Sequence, residues 1–205
     1  MLRYFAYNTL FNKPFAMAGK TFTRRYGVIL AFSDGKHTAF GEVAPLPGFS
    51  PEKLKQVLQV LLTNKVHLEQ ALINGTTEAF NNILHSIHNF SSLSFGLDTL
   101  LADLNAQRAG KTLQTYLWGD KFQPPNVNAV VGLGADALKQ ATAAVEKSVY
   151  TLKIKVGADQ ELELNQISKI RNAFPDIKIR LDANQAWSTD EALHNLNLFA
   201  PFHIE

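Results

Sequence analysis

The chain has 205 residues, of which 46% are hydrophobic and 19% are charged, and its formal net charge is +2. This composition is typical of a globular protein with a substantial core. The 20 basic residues are spread along the chain, without the clustered stripe expected of a nucleic-acid binder. The absence of cysteine excludes disulfides and thiolate metal sites. A small anionic substrate is compatible with this charge balance.

The start of the chain has the pattern of neither a signal peptide nor a membrane span. Between Met1 and Phe11 the apolar residues are interrupted by polar ones such as Arg3 and Asn8. Since cysteine is also absent, the expected location is the cytoplasm, and no membrane partner is expected.

Strand-like patterns occupy the first part of the chain. They cover Leu2–Leu10, Arg25–Phe32 and His37–Val43. The segment Ser33–Gly35, with the sequence Ser-Asp-Gly, is typical of a hairpin turn between the second and third strands. Together these patterns predict a three-stranded antiparallel meander.

From Ser50 onward the hydrophobic period becomes helical. Ser50 is the predicted N-cap of the first helix, with Pro51 at its first position. Helices are predicted through about residue 117. The strongest of them, Leu93–Arg108, is expected to end before Gly110.

The stiff segment Gln123–Pro125 predicts a domain boundary. It separates an α+β domain over residues 1–125 from a second domain over residues 126–205, in which strands alternate with helices. The predicted elements of the second domain are Val127–Val131, Ala135–Lys147, Tyr150–Val156, Asp159–Phe174, Ile177–Asp182, Thr189–Phe199 and Phe202–Glu205. Repeated βα units predict a parallel sheet covered by helices, either part of a (β/α)₈ barrel or an open doubly wound sheet. A barrel would be truncated in its fourth strand.

Alternation within these strands separates apolar from charged side chains. The charged face carries Lys153, Lys155, Lys178, Arg180, Asp182, His203 and Glu205. One interpretation is that each strand is half-exposed, with its charges toward solvent, as in many antiparallel sheets. The βα alternation favours another, in which helices cover the apolar face and the charged face lines a barrel interior. Charged side chains in such an interior need ion-pair or hydrogen-bond partners, or a role in binding or catalysis.

The types of charged side chain suggest a role in metal binding and proton transfer. Asp182 and Glu205 lie at the carboxyl ends of successive predicted strands, where barrel active sites form, and their oxygens suit Mg²⁺. A lysine beside a second ammonium group and a divalent cation loses its proton more easily, so Lys155 beside Lys153 could act as a base near pH 7. A metal bound to a substrate carboxylate would stabilise the enediolate that forms when the adjacent carbon loses its proton.

Four motifs resemble those of a known family. The segment Lys153–Gly157 looks like the Lys-x-Lys motif of the muconate-lactonising subgroup of the enolase superfamily. Arg180–Trp187 resembles the first metal-ligand strand of that subgroup, and Phe202–Glu205 resembles the start of the strand that bears the second ligand. In the first domain, Gly41–Ser50 is similar to the cap segment of o-succinylbenzoate synthases. The resemblance covers the whole chain.

The resemblance implies an α+β capping domain followed by the first part of a (β/α) barrel of the TIM type. Lys155 would be the general acid/base and Lys153 its electrostatic partner, while Asp182 and Glu205 would bind Mg²⁺. Arg180 would either bind a substrate carboxylate or pair with a barrel carboxylate.

Further residues would contact the substrate or the metal ligands. Asn184 is expected to contact a metal ligand. Two cap loops, over about Phe15–Arg25 and Leu46–Ser50, would close the site, so that Gly48, Phe49 and Ser50 contact the substrate.

The implied reaction is the syn dehydration of 2-succinyl-6-hydroxy-2,4-cyclohexadiene-1-carboxylate to o-succinylbenzoate, a step of menaquinone synthesis. One alternative is a dipeptide epimerase or N-acylamino-acid racemase, which uses the same lysines and metal. Another is a non-catalytic fragment, because the third carboxylate ligand and the opposite lysine of the family are missing from the 205 residues. We therefore expect the chain alone to be inactive and its open barrel edge to favour self-association.

Overall fold

The computed structural model of the protein describes residues 1–17, 20–75, 77–121, 123–132 and 134–205. The chain divides into two compact units. One contains Met1–Phe15 and Thr21–Gln123, and the other contains Ala16–Lys20 and Pro124–Glu205.

An antiparallel sheet forms the base of the first unit. Its strands are β1 (Leu2–Met17), β2 (Lys20–Ser33) and β3 (Thr38–Val43), and they lie in the order β1-β2-β3. The pairing of β2 with β3 is antiparallel and places Val28 opposite Val43. This arrangement confirms the predicted meander.

The first two strands are longer than predicted. The sequence suggested a loop over about Phe15–Arg25, whereas β1 continues to Met17 and β2 begins at Lys20. Arg24 donates a 2.8 Å hydrogen bond to the side chain of Asn8, so cross-strand contacts extend into the predicted loop. Residues 18 and 19, which the predicted loop includes, lie outside the described residues.

The described part of this unit contains four helices, with bounds Leu54–Asn74 (α1), Thr77–Ser86 (α2), Ser91–Arg108 (α3) and Leu113–Trp118 (α4). Residues of α1, α2 and α3 share one hydrophobic core with the sheet, and α4 packs on α3. Close packing of α3 on β3 depends on glycine, since a Cβ on Gly41 would lie 2.0 Å from the carbonyl oxygen of Gly96. Gly110 follows α3 with φ of +65°, a left-handed conformation that glycine favours, and this confirms the predicted end of the helix.

The predicted start of α1 was wrong. The helix begins at Leu54, so neither Ser50 nor Pro51 is part of its first turn. Ser50 instead accepts a 2.8 Å hydrogen bond from the backbone N–H of Leu46, which closes a turn before the helix. The backbone N–H of Lys53 is satisfied by Gln56 Oε1 at 2.9 Å.

A parallel sheet forms the second unit. It contains β4 (Ala129–Val131), β5 (Thr151–Lys155) and β6 (Lys178–Asp182), in the order β4-β5-β6. The connecting helices are α5 (Ala137–Val145) and α6 (Gln160–Ala173), and α7 (Thr189–Phe199) follows β6.

The apolar face of this sheet is buried under the helices. Leu152, Ile154 and Ile179 are fully buried. They belong to one core with residues of the three helices, namely Ala137, Ala141, Ala144, Ile167, Ile170 and Phe199. The described helices of this unit therefore pack on one face of sequentially ordered strands. That arrangement favours a barrel segment over a doubly wound sheet, which carries helices on both faces.

The last predicted strand is shorter than expected. A 3₁₀ turn occupies Ala200–Phe202, and only Ile204 forms a parallel bridge, to Ile179 of β6. The guanidinium group of Arg171 holds this segment by donating to the carbonyl oxygens of Phe202 and His203, at 3.0 and 3.3 Å.

Across the described ranges, the structure contains no helix with the length and apolar character needed to cross a membrane.

Candidate active site

The charged face of the parallel sheet carries the predicted catalytic side chains. Register places Lys153 opposite Arg180 and Lys155 opposite Asp182. Since β5 and β6 are parallel neighbours, Lys155 and Asp182 meet at the carboxyl ends of both strands, the edge at which barrel enzymes build their active sites.

Lys153 and Asp182 form an ion pair across this face. The Lys153 Nζ atom lies 2.6 Å from Asp182 Oδ2, and the two side chains are 40% and 20% exposed. The hydrogen bond from Lys153 lowers the pKa of Asp182, against partial burial, and the backbone N–H of Asn184 and the charge of Lys155 add to this effect. Asp182 is therefore held as a carboxylate.

Asn184 contacts Asp182 through its backbone. Its N–H donates to Asp182 Oδ1 at 3.1 Å, in a turn where Asn184 and Gln185 both have positive φ. Such a turn orients the carboxylate at the strand end.

Glu205 has basic partners on the same face. Arg180 donates from Nε to Glu205 Oε2 at 2.9 Å and from Nη2 to Oε1 at 3.3 Å, and Lys178 Nζ lies 3.5 Å from Oε1. These contacts lower the pKa of Glu205, with the Arg180 hydrogen bond as the main cause. Of the two predicted roles for Arg180, the structure contains the pairing with a barrel carboxylate.

Asp182 and Glu205 carry the hard oxygen donors that Mg²⁺ prefers. Within the described ranges, no group of three His, Asp or Glu side chains could hold a metal ion. Two carboxylates nevertheless fit Mg²⁺, because this ion usually takes only some of its six ligands from protein and the rest from water or substrate. A bound ion would share or displace the contacts with Lys153 and Arg180.

The predicted substrate-contacting segment of the first unit is a tight turn. The carbonyl oxygen of Leu46 accepts from the N–H groups of Phe49 and Ser50, at 3.0 and 2.9 Å. Gly48 has a φ of +83°, and Phe49 is 39% exposed. Arg25 donates to the carbonyl oxygens before this turn, at Ala44 and Pro45.

Two buried carboxylates escaped the sequence interpretation. Glu52 accepts from the backbone N–H of Ser92 at 2.8 Å, and Glu163 accepts from the three consecutive N–H groups of residues 157–159. The spacing of Glu163 after the N-cap Asp159 was a usable local signal, because acidic residues near a helix start often bond the preceding turn. Glu52 and Ser92 are 40 residues apart in sequence, so their contact had no local signal.

The model of the family "MenC, N-terminal domain" matches residues 1–104, and that of "Enolase C-terminal domain-like" matches residues 136–205. Similarity to individual proteins extends over both units. A D-Ala-D/L-Ala epimerase from Cytophaga hutchinsonii is 30% identical over 203 residues, which cover 94% of this chain and 54% of the epimerase. An o-succinylbenzoate synthase from Aliivibrio salmonicida is 31% identical over 181 residues, which cover 87% of this chain and 48% of the synthase.

A solved structure has the same fold. The dipeptide epimerase from Cytophaga hutchinsonii, in complex with Mg and the dipeptide D-Ala-L-Val, superposes with a TM-score of 0.77 at 27% identity. The match covers 100% of this chain and 56% of the epimerase chain. The chain thus spans about half the length of the proteins it matches. From the two family matches and this shared fold, we conclude that the chain belongs to the enolase superfamily, with a MenC-type amino-terminal domain.

Proposed function

We propose that residues 1–125 are the capping domain, and residues 126–205 the first βα units of the barrel, of a Mg²⁺-dependent enzyme that removes a proton α to a carboxylate. The observation that carries the proposal is the arrangement on β5 and β6. Lys153 and Lys155 share one sheet face, Lys155 lies opposite Asp182, and Lys153 bonds that carboxylate at 2.6 Å. The candidate base Lys155, the ammonium group of Lys153 and a carboxylate suited to Mg²⁺, Asp182, thus lie together at the carboxyl ends of β5 and β6.

The proposed reaction is the dehydration of 2-succinyl-6-hydroxy-2,4-cyclohexadiene-1-carboxylate to o-succinylbenzoate, in menaquinone synthesis. Neutral Lys155 takes the proton from the carbon that bears the carboxylate. The ring double bond then forms as the C–O bond at the neighbouring carbon breaks. The resulting ammonium group of Lys155 donates its proton to the departing hydroxyl, which leaves as water. Because the elimination is syn, one lysine on one face of the ring can perform both transfers.

Asp182 and Glu205 would hold Mg²⁺ in this site. When bound, Mg²⁺ supplies positive charge to the substrate carboxylate and so stabilises the enediolate formed by proton loss. Lys153 orients Asp182 through their ion pair and adds positive charge beside the developing anion.

Epimerisation or racemisation of a dipeptide or N-acylamino acid is the second candidate. It is supported by the 30% identity to the D-Ala-D/L-Ala epimerase and by the fold of the dipeptide epimerase complex. This reaction needs a second proton donor on the opposite face of the substrate from the Lys153–Lys155 pair. The match of residues 1–104 to the MenC amino-terminal family favours the synthase.

The test is an assay of the complete enzyme, with Mg²⁺, on the cyclohexadiene substrate and on a panel of dipeptides. We expect dehydration, and we expect Lys155→Ala to lower kcat by at least about 10²-fold, at the low end of general acid/base contributions. Lys169→Ala, at an exposed position on α6, is the matched control and should leave kcat unchanged.

Two outcomes would contradict the proposal. Epimerisation without dehydration would replace the synthase by the second candidate. Near-normal kcat in Lys155→Ala would remove this lysine from either mechanism.

A further inference from the structure

Glu163 is a buried carboxylate that takes no part in the proposed reaction. It lies in the first turns of α6, after the N-cap Asp159, and is only 2% exposed. Burial of a carboxylate costs free energy unless hydrogen bonds replace its hydration. Its partners therefore indicate what it does.

All three of its described bonds go to one turn. Glu163 Oε1 accepts from the backbone N–H groups of Gly157, Ala158 and Asp159, at 2.7, 2.8 and 3.0 Å. Successive N–H groups that converge on one oxygen form a compact anion-binding concavity. In return, Asp159 Oδ1 accepts from the N–H of Leu162 at 3.1 Å and caps α6. The connection between β5 and α6 is thus held in one conformation.

This turn follows β5 and contacts the turn after β6, and these are the two strands that carry the site. Lys155 is the last residue of β5, and the next backbone N–H, of Val156, donates to the carbonyl oxygen of Asp182 at 3.1 Å. Gly157 has a φ of +102°, and a Cβ there would lie 2.7 Å from the Cβ of Ala186. The turn after β5 therefore packs directly on the turn after β6, with no room to shift toward it.

We propose that Glu163 is a positioning residue for Lys155, an inference that rests on the proposed function. Its carboxylate holds the turn of residues 157–159, and the turn holds the end of β5, so that the Lys155 amine stays at one distance from the substrate proton. Without the carboxylate, three N–H groups lose their acceptor and the turn must move to reach water. Displacement of a reacting group by about 1 Å can cost about 10²-fold in rate.

The test compares Glu163→Ala and Glu163→Gln with Glu161→Ala and Glu161→Gln in the complete enzyme. Glu161 is a matched control, because it is an exposed glutamate in the same helical turn. With kcat expressed per folded molecule, Glu163→Ala should lose about 10- to 100-fold in kcat, with a smaller change in KM. Glu163→Gln keeps one acceptor oxygen and should recover part of this loss, while both Glu161 variants should match the wild type.

A second readout does not depend on turnover. Amide hydrogen exchange at residues 157–159 should be faster in Glu163→Ala and unchanged in Glu161→Ala. Wild-type exchange in Glu163→Ala, or a wild-type kcat per folded molecule, would overturn the positioning role. Wild-type enzyme that neither dehydrates nor epimerises would instead overturn the proposed function, and with it the role of Lys155. If Glu163→Ala does not fold, Glu163→Met decides, because methionine keeps the side-chain volume but has no acceptor oxygen, and unchanged kcat and exchange in that variant would also overturn the role.

Discussion

The Lys153–Asp182 ion pair allows a direct test of the site's electrostatics at the scale of single residues. Because Lys153 lowers the pKa of Asp182 below its ordinary value of 3.8, the pair stabilises the folded protein above that value. This contribution is lost as pH falls through the lower, folded pKa. Carboxyl carbon NMR should therefore place the midpoint of Asp182 below 3.8.

Removal of the lysine should reverse this shift. In Lys153→Met, the midpoint of Asp182 should rise, because its main hydrogen-bond donor is lost. Lys169→Met changes the same type of side chain at an exposed position of α6 and should leave the titration as in the wild type. An unchanged midpoint in Lys153→Met would mean that the ion pair does not control this carboxylate.

The partner of Arg180 could not be predicted from the sequence. Period-two alternation placed Arg180 and Glu205 on one face, but two roles for Arg180 remained open. The parallel bridge between Ile204 and Ile179 brings Glu205 beside Arg180 and decides the pairing. This register depends on contacts between segments about 25 residues apart, which no local pattern specifies.

At the scale of elements, Glu52 acts as a remote cap of α3. Its Oε1 accepts from the backbone N–H of Ser92 at 2.8 Å and from the Ser91 hydroxyl at 3.3 Å. Burial alone would raise the pKa of Glu52, but the hydrogen bonds from Ser92 and Ser91 outweigh burial, so its pKa is lowered. The cap is therefore expected to stabilise α3 at neutral pH and to weaken in acid.

Replacement of this cap should destabilise the first unit. We expect Glu52→Ala to lower the free energy of unfolding by about 1 to 2 kcal/mol, the usual cost of a lost N-cap. Glu52→Gln should lose less, because it keeps an acceptor oxygen. Urea unfolding at pH 7 measures both variants, with Lys55→Ala, at an exposed position of α1, as the control. Equal stability of Glu52→Ala and the control would show that the contact does not cap α3.

The helices show which boundaries depend on local interactions. The predicted bounds of α7, Thr189–Phe199, are those observed, because Ser188 and Glu191 form a capping box within four residues. The start of α1 was mispredicted, because Ser50 satisfies the N–H of Leu46 instead of a helical one. A serine before an apolar stripe thus marks a helix start only when no competing turn uses its hydroxyl.

For the whole molecule, the parallel sheet of the described residues has an exposed edge. Among the described strands, β4 pairs only with β5, and Val130 on β4 is 57% exposed. Unpaired strand edges favour association with other strands. The described site has two carboxylates suited to Mg²⁺, Asp182 and Glu205, and the chain spans about half the length of the relatives it matches.

We therefore expect the purified 205-residue chain, with Mg²⁺, to show no dehydration or epimerisation and to self-associate through the open sheet. Enzyme assays and light scattering measure these two properties. The complete enzyme, assayed in parallel, shows whether the substrates and conditions are adequate. Robust turnover by a monomer of the 205 residues would contradict this prediction.

The sequence by itself determined the periodic features of this protein. Alternation in β5 and β6 predicted which face is apolar and placed Lys153, Lys155 and Asp182 together on the other, because side-chain direction along a strand follows from backbone geometry alone. Only the tertiary structure decided the partners of those charges and the contact between Glu52 and α3. Each of these depends on which hydrogen-bond donors converge on an oxygen, and folding brings such donors together from separate elements.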